Sequence, residues 1–366
     1  MSGAAPIACF RNVTKTYDGV VDVVRALNLD VARGEFLTLL GPPGSGKTTT
    51  LMMLAGFQAP TSGDILLEGE NVNRVPPHKR GLGVVFPSDA LFPHMSVAEN
   101  VAFPLTIRRV GRAERDEKVT RALALVRLTG LAERRPARLS GGQRLRVALA
   151  RALVYGPELV LLDEPLGALE RALREELRME IRHIHRELGV SMLYVTHDQT
   201  EALVLSDRIA VFDRGVVRQL AAPETLYEDP ANAFVARVIG DNNRLNGRII
   251  GIEDEIAQVK LQAGPVVEAR IADARRVGEL CVVSVRPERV ALAATTARDM
   301  GENALSAVVL EVVYLGDHLR VRLTVGEDTE LIVKRPAAAG LGGLAVGQPA
   351  AVAWQGYHAR AFLMEV

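Results

Sequence analysis

Charge of neither sign is in excess: 44 lysines and arginines match 44 aspartates and glutamates, so there is no overall basic field to recruit nucleic acid. Cysteine is scarce. Cys9 and Cys281 lie far apart and form no disulfide framework or thiolate metal site, so reduced, buried or half-buried thiols of a reducing cytosol are expected. No run approaches the ~18 consecutive apolar residues of a membrane-spanning helix. The stretch Met1–Pro6 lacks the charged-then-apolar layout of a secretory signal. A soluble, cytoplasmic chain is expected, with membrane association only through a partner. Apolar residues make up 48% of the 366, which excludes global disorder and suits about two domains.

Against these absences stands one dense motif, Gly41-Pro42-Pro43-Gly44-Ser45-Gly46-Lys47-Thr48. It follows Phe36–Leu40, an apolar run with the length of a buried strand, and leads into Thr48–Ala55, which can continue as a helix. Glycines let backbone N–H groups curl around phosphate oxygens, and the helix adds its positive dipole end. Lys47 is expected between the β- and γ-phosphates, with the Thr48 hydroxyl on Mg²⁺, and Thr49 is counted with the loop among the ATP-binding residues. The chain is read as a binder of a nucleoside triphosphate.

Residues 1–240 alternate short apolar runs with helical patterns, which predicts an α/β domain with a largely parallel sheet. Glu158–Leu162 and Ser191–Val195 read as buried strands. Between them Leu169, Leu173, Leu177, Ile181, Ile184 and Leu188 form one helical stripe. Ser96-Val97-Ala98-Glu99 has the form of a capping box, and Val119, Ala122, Leu123 and Val126 mark another helical face, giving a helical subdomain over about 96–155. The turn-rich Gly240–Asn243 is the expected boundary. Beyond it, β-branched runs at 256–261, 266–271, 281–285, 308–315, 319–325 and 331–334 predict a small all-β domain over 241–366, a partly closed barrel. Pro336–Leu344 reads as a surface loop.

Asp163 and Glu164 end the apolar run Leu159–Leu162. Asp163 suits Mg²⁺, directly or through a water, and Glu164 is placed to polarise a water attacking the γ-phosphorus. Strand-end Asp-Glu also makes ordinary turns; the phosphate loop in the same domain favours catalysis. Leu139-Ser140-Gly141-Gly142-Gln143 precedes a helix and offers N–H groups and the Ser140 hydroxyl to an anion, although Ser-Gly-Gly alone is usually a plain turn. His183 and His185, two apart on a helix, point to different faces and are read as solvated.

Together these residues resemble the ATP-binding cassette family, nucleotide-hydrolysing subunits of membrane transporters with a P-loop NTPase fold. The resemblance implies that Leu139–Gln143 is the family signature, that Asp163 and Glu164 are the metal-binding and catalytic carboxylates, and that His197 is the switch histidine at the γ-phosphate. It also implies that Tyr17 stacks on adenine, although a structural Tyr at a sheet edge is its rival. A homodimer through ATP is implied, with Ser140, Gly141, Gly142 and Gln143 acting in trans on the partner's nucleotide. The cassette plus β-domain is similar to bacterial importer ATPases whose OB-like C-terminal domain is called TOBE. Gly240–Leu245, Val285–Glu288 and Val313–Asp317 look like the branch importing spermidine and putrescine. Importers of ferric iron, sulfate, phosphonate and sugars have similar ATPases. Integral permease subunits and a periplasmic or extracellular solute-binding protein are the implied partners, placing the chain on the inner face of the cell membrane.

Two positions depart from the family. Pro87 takes the place of the glutamine that normally touches Mg²⁺ and the attacking water, with Ser88 or Asp89 as candidate oxygen donors. Glu170 replaces the usual Asp. Pro87 motivates an alternative, an ATP-dependent dimerisation switch with little hydrolysis. A cassette protein of translation or DNA repair is disfavoured by the single cassette and the balanced charge.

Overall fold

The structure, a computed structural model, describes residues 5–364 other than 88–89, 168, 295, 298–299, 327–328 and 341–342. Its contacts fall into two compact units, Met1–Pro223 and Glu224–Val366.

In the first unit the strands are β1 (Ala8–Thr16), β2 (Asp22–Val31), β3 (Phe36–Leu40), β4 (Ser62–Leu67), β5 (Glu70–Asn71), β6 (Gly83–Val85), β7 (Leu159–Asp163), β8 (Ser191–Thr196), β9 (Arg208–Asp213) and β10 (Val216–Ala221). The helices are α1 (Lys47–Ala55), α2 (Val97–Ile107), α3 (Arg112–Leu125), α4 (Gly141–Leu153), α5 (Arg171–Leu188) and α6 (Gln199–Leu205). One sheet has the order β10-β9-β3-β8-β7-β6, with every pair parallel except β10 on β9. Strands β3, β7 and β8 are buried at every residue, which is why their sequences read as unbroken apolar runs. A second, antiparallel sheet, β2-β1-β4-β5, was not signalled by the α/β alternation.

The helices follow their local chemistry. At α2 the Glu99 N–H donates to Ser96 Oγ at 3.2 Å and the Ser96 N–H to Glu99 Oε2 at 2.7 Å, so the capping box closes in both directions. On α5, Leu177, Ile181 and Ile184 are buried as the stripe predicts, whereas Leu188 is 47% exposed. The helix ends there at Gly189, in the left-handed region, and its last turn carries Leu188 off the core. His183 is exposed beside Glu187 at 3.2 Å. His185 is not solvated: it is half-buried, edge-on to Phe36 at 5.3 Å, with Nε2 3.1 Å from the Gly34 carbonyl.

Glu170 is the N-cap of α5 and makes no side-chain capping bond. A shorter aspartate reaches the first-turn N–H groups, so Glu170→Asp is expected to raise stability by about 1 kcal/mol. A shift in the urea midpoint checks this; an unchanged midpoint speaks against it.

The second unit holds α7 (Pro223–Glu228), which begins at the unit boundary, and α8 (Ala233–Val238). Its strands are β11 (Asn243–Glu253), β12 (Ile256–Leu261), β13 (Val266–Ile271), β14 (Leu280–Val285), β15 (Ala291–Ala293), β16 (Leu305–Tyr314), β17 (His318–Val325), β18 (Thr329–Pro336), β19 (Pro349–Ala353) and β20 (Ala359–Leu363). The barrel β11-β12-β13-β20-β14 is closed rather than partly open, because β20 pairs parallel with β13 and antiparallel with β14. A separate sheet, β15-β19-β16-β17-β18, completes the unit. Residues 224–240 belong to this unit because Arg286, after β14, donates to the carbonyls of Tyr227 at 2.9 Å and Ala236 at 3.3 Å. Cys9 and Cys281 are both free and buried. Among the described residues no helix is long and apolar enough to cross a membrane.

Candidate nucleotide-binding site

Strand β3 delivers the chain into Gly41–Gly46, and α1 starts at Lys47. Two glycines are required sterically. A Cβ on Gly41 would lie 2.3 Å from the Phe212 carbonyl oxygen. Gly46 has φ 101°, and a Cβ there would approach the Val23 carbonyl to 2.5 Å. The loop is tied to its neighbours by the Gly215 N–H donating to the Ser45 carbonyl at 3.0 Å.

Lys47 is 4% exposed, and its Nζ donates to the carbonyls of Gly41 and Pro42, both at 2.9 Å, and to Ser45 Oγ at 3.3 Å. The loop thus closes around its own ammonium. Burial pushes the Lys47 pKa down, and the charges of Glu164 and Asp163 oppose that shift. Thr48 is exposed and its hydroxyl donates to Asp163 Oδ1 at 3.0 Å; Thr49 is half-buried. Asp163 is 3% exposed, and burial raises its pKa. A hydroxyl and a carboxylate are hard oxygen donors that fit Mg²⁺. Among the described residues no group of three or more His, Cys, Asp or Glu is placed to hold a metal ion.

Strands β7 and β8 run in parallel register, Asp163 opposite Val195, so the residues just past each strand meet. The Glu164 N–H donates to the Val195 carbonyl at 3.0 Å, and Glu164 Oε2 lies 3.3 Å from His197 Nδ1. Glu164 adopts φ 43°, a left-handed conformation unusual outside glycine and of the kind that concentrates at functional sites. Its side chain is 34% exposed and that of His197 53%, so both are open to an incoming group.

Glu201 supports this arrangement from beneath. Only 3% exposed, it accepts from the Tyr194 hydroxyl at 2.8 Å and the Thr196 hydroxyl at 2.7 Å, and Thr196 Oγ1 accepts from the Asp198 N–H at 3.0 Å. Asp198 caps α6 through the N–H groups of Thr200 and Glu201. The backbone on both sides of His197 is therefore pinned. No sequence motif marks Glu201, although the Asp198–Glu201 spacing has the form of a cap.

Ser140 and Gln143 form a second capping box on α4: Ser140 Oγ accepts from the Gln143 N–H at 3.3 Å, and Gln143 Oε1 accepts from the Ser140 N–H at 3.0 Å. Capping uses Ser140 as an acceptor and leaves its O–H to donate. A Cβ on Gly142 would press on Leu173 at 2.9 Å, and one on Gly141 on Leu169 at 2.8 Å. Tyr17 is 59% exposed, with Lys15 Nζ 4.9 Å from its ring centroid. Pro87 is exposed two residues beyond β6, the strand that pairs with β7. Ser88 and Asp89, the candidate substitutes for the missing glutamine, lie outside the described residues.

The ABC transporter family model matches residues 24–167, and the TOBE domain model matches residues 283–362. The spermidine/putrescine import ATP-binding protein of Rubrobacter xylanophilus is 45% identical over 356 residues, covering 96% of this chain and 93% of that one. The protein of that name from Pseudomonas aeruginosa is 45% identical over 352 residues, covering 96% and 97%. Among solved structures, a dimeric ABC transporter cassette in a post-hydrolysis state with ADP and Pi shares 31% identity at a TM-score of 0.54, covering 59% of this chain and 98% of its own. By this relationship, which runs through nearly its whole length, the chain belongs to the ABC transporter family as an ATP-binding protein with a C-terminal TOBE domain.

Proposed function

We propose that this chain is the ATPase that energises polyamine import, spermidine or putrescine, through a membrane ABC transporter. The observation that carries hydrolysis is the meeting of Lys47, Thr48, Asp163, Glu164 and His197 at the ends of β3, β7 and β8. The cargo rests on the two relatives at 45% identity, both named for spermidine and putrescine import. Nothing favours iron, sulfate, phosphonate or sugar over it.

In this reading the γ-phosphate takes over the donors that Lys47 now gives to the Gly41 and Pro42 carbonyls. The N–H groups of Pro43–Thr49, apart from the proline, cradle the remaining phosphate oxygens, and Tyr17 presents an open ring to adenine. Thr48 and Asp163 hold Mg²⁺, which when bound neutralises charge on the β- and γ-phosphates. Glu164 accepts the proton of the attacking water, and His197 holds the γ-phosphate oxygens beside it. Ser140–Gln143 covers the nucleotide of a second copy, an arrangement supported by the dimeric cassettes among the structural relatives. The permease docks at the loop following β6, the solute-binding protein delivers cargo from outside, and the chain works on the cytoplasmic face.

Pro87 supplies no ligand to this centre, so the reading predicts a working but slow enzyme. In permease-containing vesicles the wild type is expected to hydrolyse ATP, and Pro87→Gln to hydrolyse it about tenfold faster, less than the 10²–10⁴ of a lost general base. A wild type that dimerises on ATP without releasing phosphate would replace the ATPase by the switch.

A further inference from the structure

The helix that opens with the signature glycines, α4, is seated on α5 through two kinds of contact. At its start the contact is apolar, with Leu169 and Leu173 filling the space that side chains on Gly141 and Gly142 would need. Further along it is ionic. Arg146 Nη2 donates to Glu176 Oε1 at 2.7 Å, and Arg146 Nε lies 2.8 Å from Glu180 Oε2. Leu173, Glu176 and Glu180 follow one another at three and four residues, so they form one stripe of α5 turned toward α4.

This pair is costly to place. The Arg146 side chain is 15% exposed and that of Glu180 9%, and both carboxylate oxygens of Glu180 are buried. Burial raises the Glu180 pKa, and the charges of Arg146 and Arg127 oppose that shift. Arg127 stands just past α3, so positive charge from two helices bears on this one acid. Leucines alone would hold α4 on α5, but apolar contact is non-directional and lets one helix slide or turn on the other. A buried ion pair is penalised when misaligned, and so fixes the register. Helix α5 is itself anchored at the chain's own pocket, where Arg174 Nη1 lies 3.6 Å from Asp198 Oδ2, beside His197.

We propose that Arg146 is a positioning residue for the signature: with Glu180 and Glu176 it fixes the register of α4 on α5, and thereby aims Ser140 and the first N–H groups of α4 at the nucleotide of a second copy. Arg146 stands six residues beyond Ser140, about 9 Å along the helix axis, so it acts through α4 rather than on the nucleotide. The inference rests on the trans arrangement proposed above. Neither Arg146 nor Glu180 belongs to the pocket of the chain's own Lys47, so loss of the pair weakens closure of the dimer and spares nucleotide binding by the monomer.

The test uses the full chain carrying Glu164→Gln as parent, with dimerisation on ATP and Mg²⁺ followed by sedimentation and ADP affinity measured on the same samples. Arg146→Met together with Glu180→Leu leaves no buried charge unpaired, so the fold is kept, and the urea midpoint checks this. That double substitution is expected to weaken dimerisation at least about tenfold while ADP affinity stays within about twofold of the parent. Arg146→Lys keeps a cation beside Glu180 and is expected to restore dimerisation to within about threefold. Adding Ser140→Ala to the double substitution is expected to weaken dimerisation by less than about threefold more, because the pair works through Ser140. Unchanged dimerisation, an equal loss of ADP affinity, or full multiplication of the Ser140→Ala loss overturns the inference alone. A parent that stays monomeric with ATP removes the trans arrangement, and the inference with it.

Discussion

Glu164→Gln is expected to lower ATP turnover by about 10²–10⁴-fold while leaving nucleotide affinity near the wild-type value. Glutamine keeps the volume and accepts a hydrogen bond from water, but it takes up no proton. The substitution preserves the backbone contacts that position residue 164, its N–H on the Val195 carbonyl and its carbonyl accepting from the Gly167 N–H at 3.2 Å. Binding is left to Lys47 and the loop, which Glu164 touches only through its field. Single-turnover phosphate release together with ADP affinity separates the two effects. A variant hydrolysing within about threefold of wild type would remove Glu164 from the reaction, against the 10²-fold minimum for a general base.

The largest stability effect is expected at Arg80, 9% exposed and far from any motif. Its Nη1 donates to the Met53 and Leu54 carbonyls, both at 2.8 Å, its Nε to Val75 at 2.8 Å and its Nη2 to Val72 at 2.6 Å. Met53 and Leu54 lie in the last turn of α1, whose first residue is Lys47, so one guanidinium caps the far end of the helix that follows the glycine-rich loop. It also fills the space beside Gly56, where a Cβ would meet Arg80 Nε at 2.6 Å. Arg80→Met keeps much of the volume and leaves four carbonyls without that donor, at a cost of about 3–5 kcal/mol. Urea unfolding of the cassette and amide exchange along α1 report the loss, and nucleotide affinity is expected to fall with it. A midpoint unchanged within error would show that water serves these carbonyls as well as Arg80 does.

What the sequence made legible was local. The phosphate loop, Asp163, Glu164 and His197 each stand at the end of an apolar run, and a run plus its flanking residues is information carried by neighbours in the chain. The Ser96 capping box is legible for the same reason. Arg80 is not, because its partners come from two segments, 53–54 and 72–75, brought together only by folding. Glu201 looks like a first-turn acid until the fold buries it under Thr196. Closure of the barrel was hidden because β20, Ala-Arg-Ala-Phe-Leu, lacks the β-branched residues that announce β12 and β13. Leu344 is 4% exposed although its surroundings read as a surface loop, since one leucine among alanines and glycines sets no period.

The most direct measurement is sedimentation of Glu164→Gln with ATP and Mg²⁺, with bound nucleotide counted. If each chain supplies half of two shared pockets, the species has twice the chain mass and retains one ATP per chain, and it reverts to monomer when nucleotide is removed. A monomer at saturating ATP, or a dimer holding no adenine nucleotide, would contradict the account.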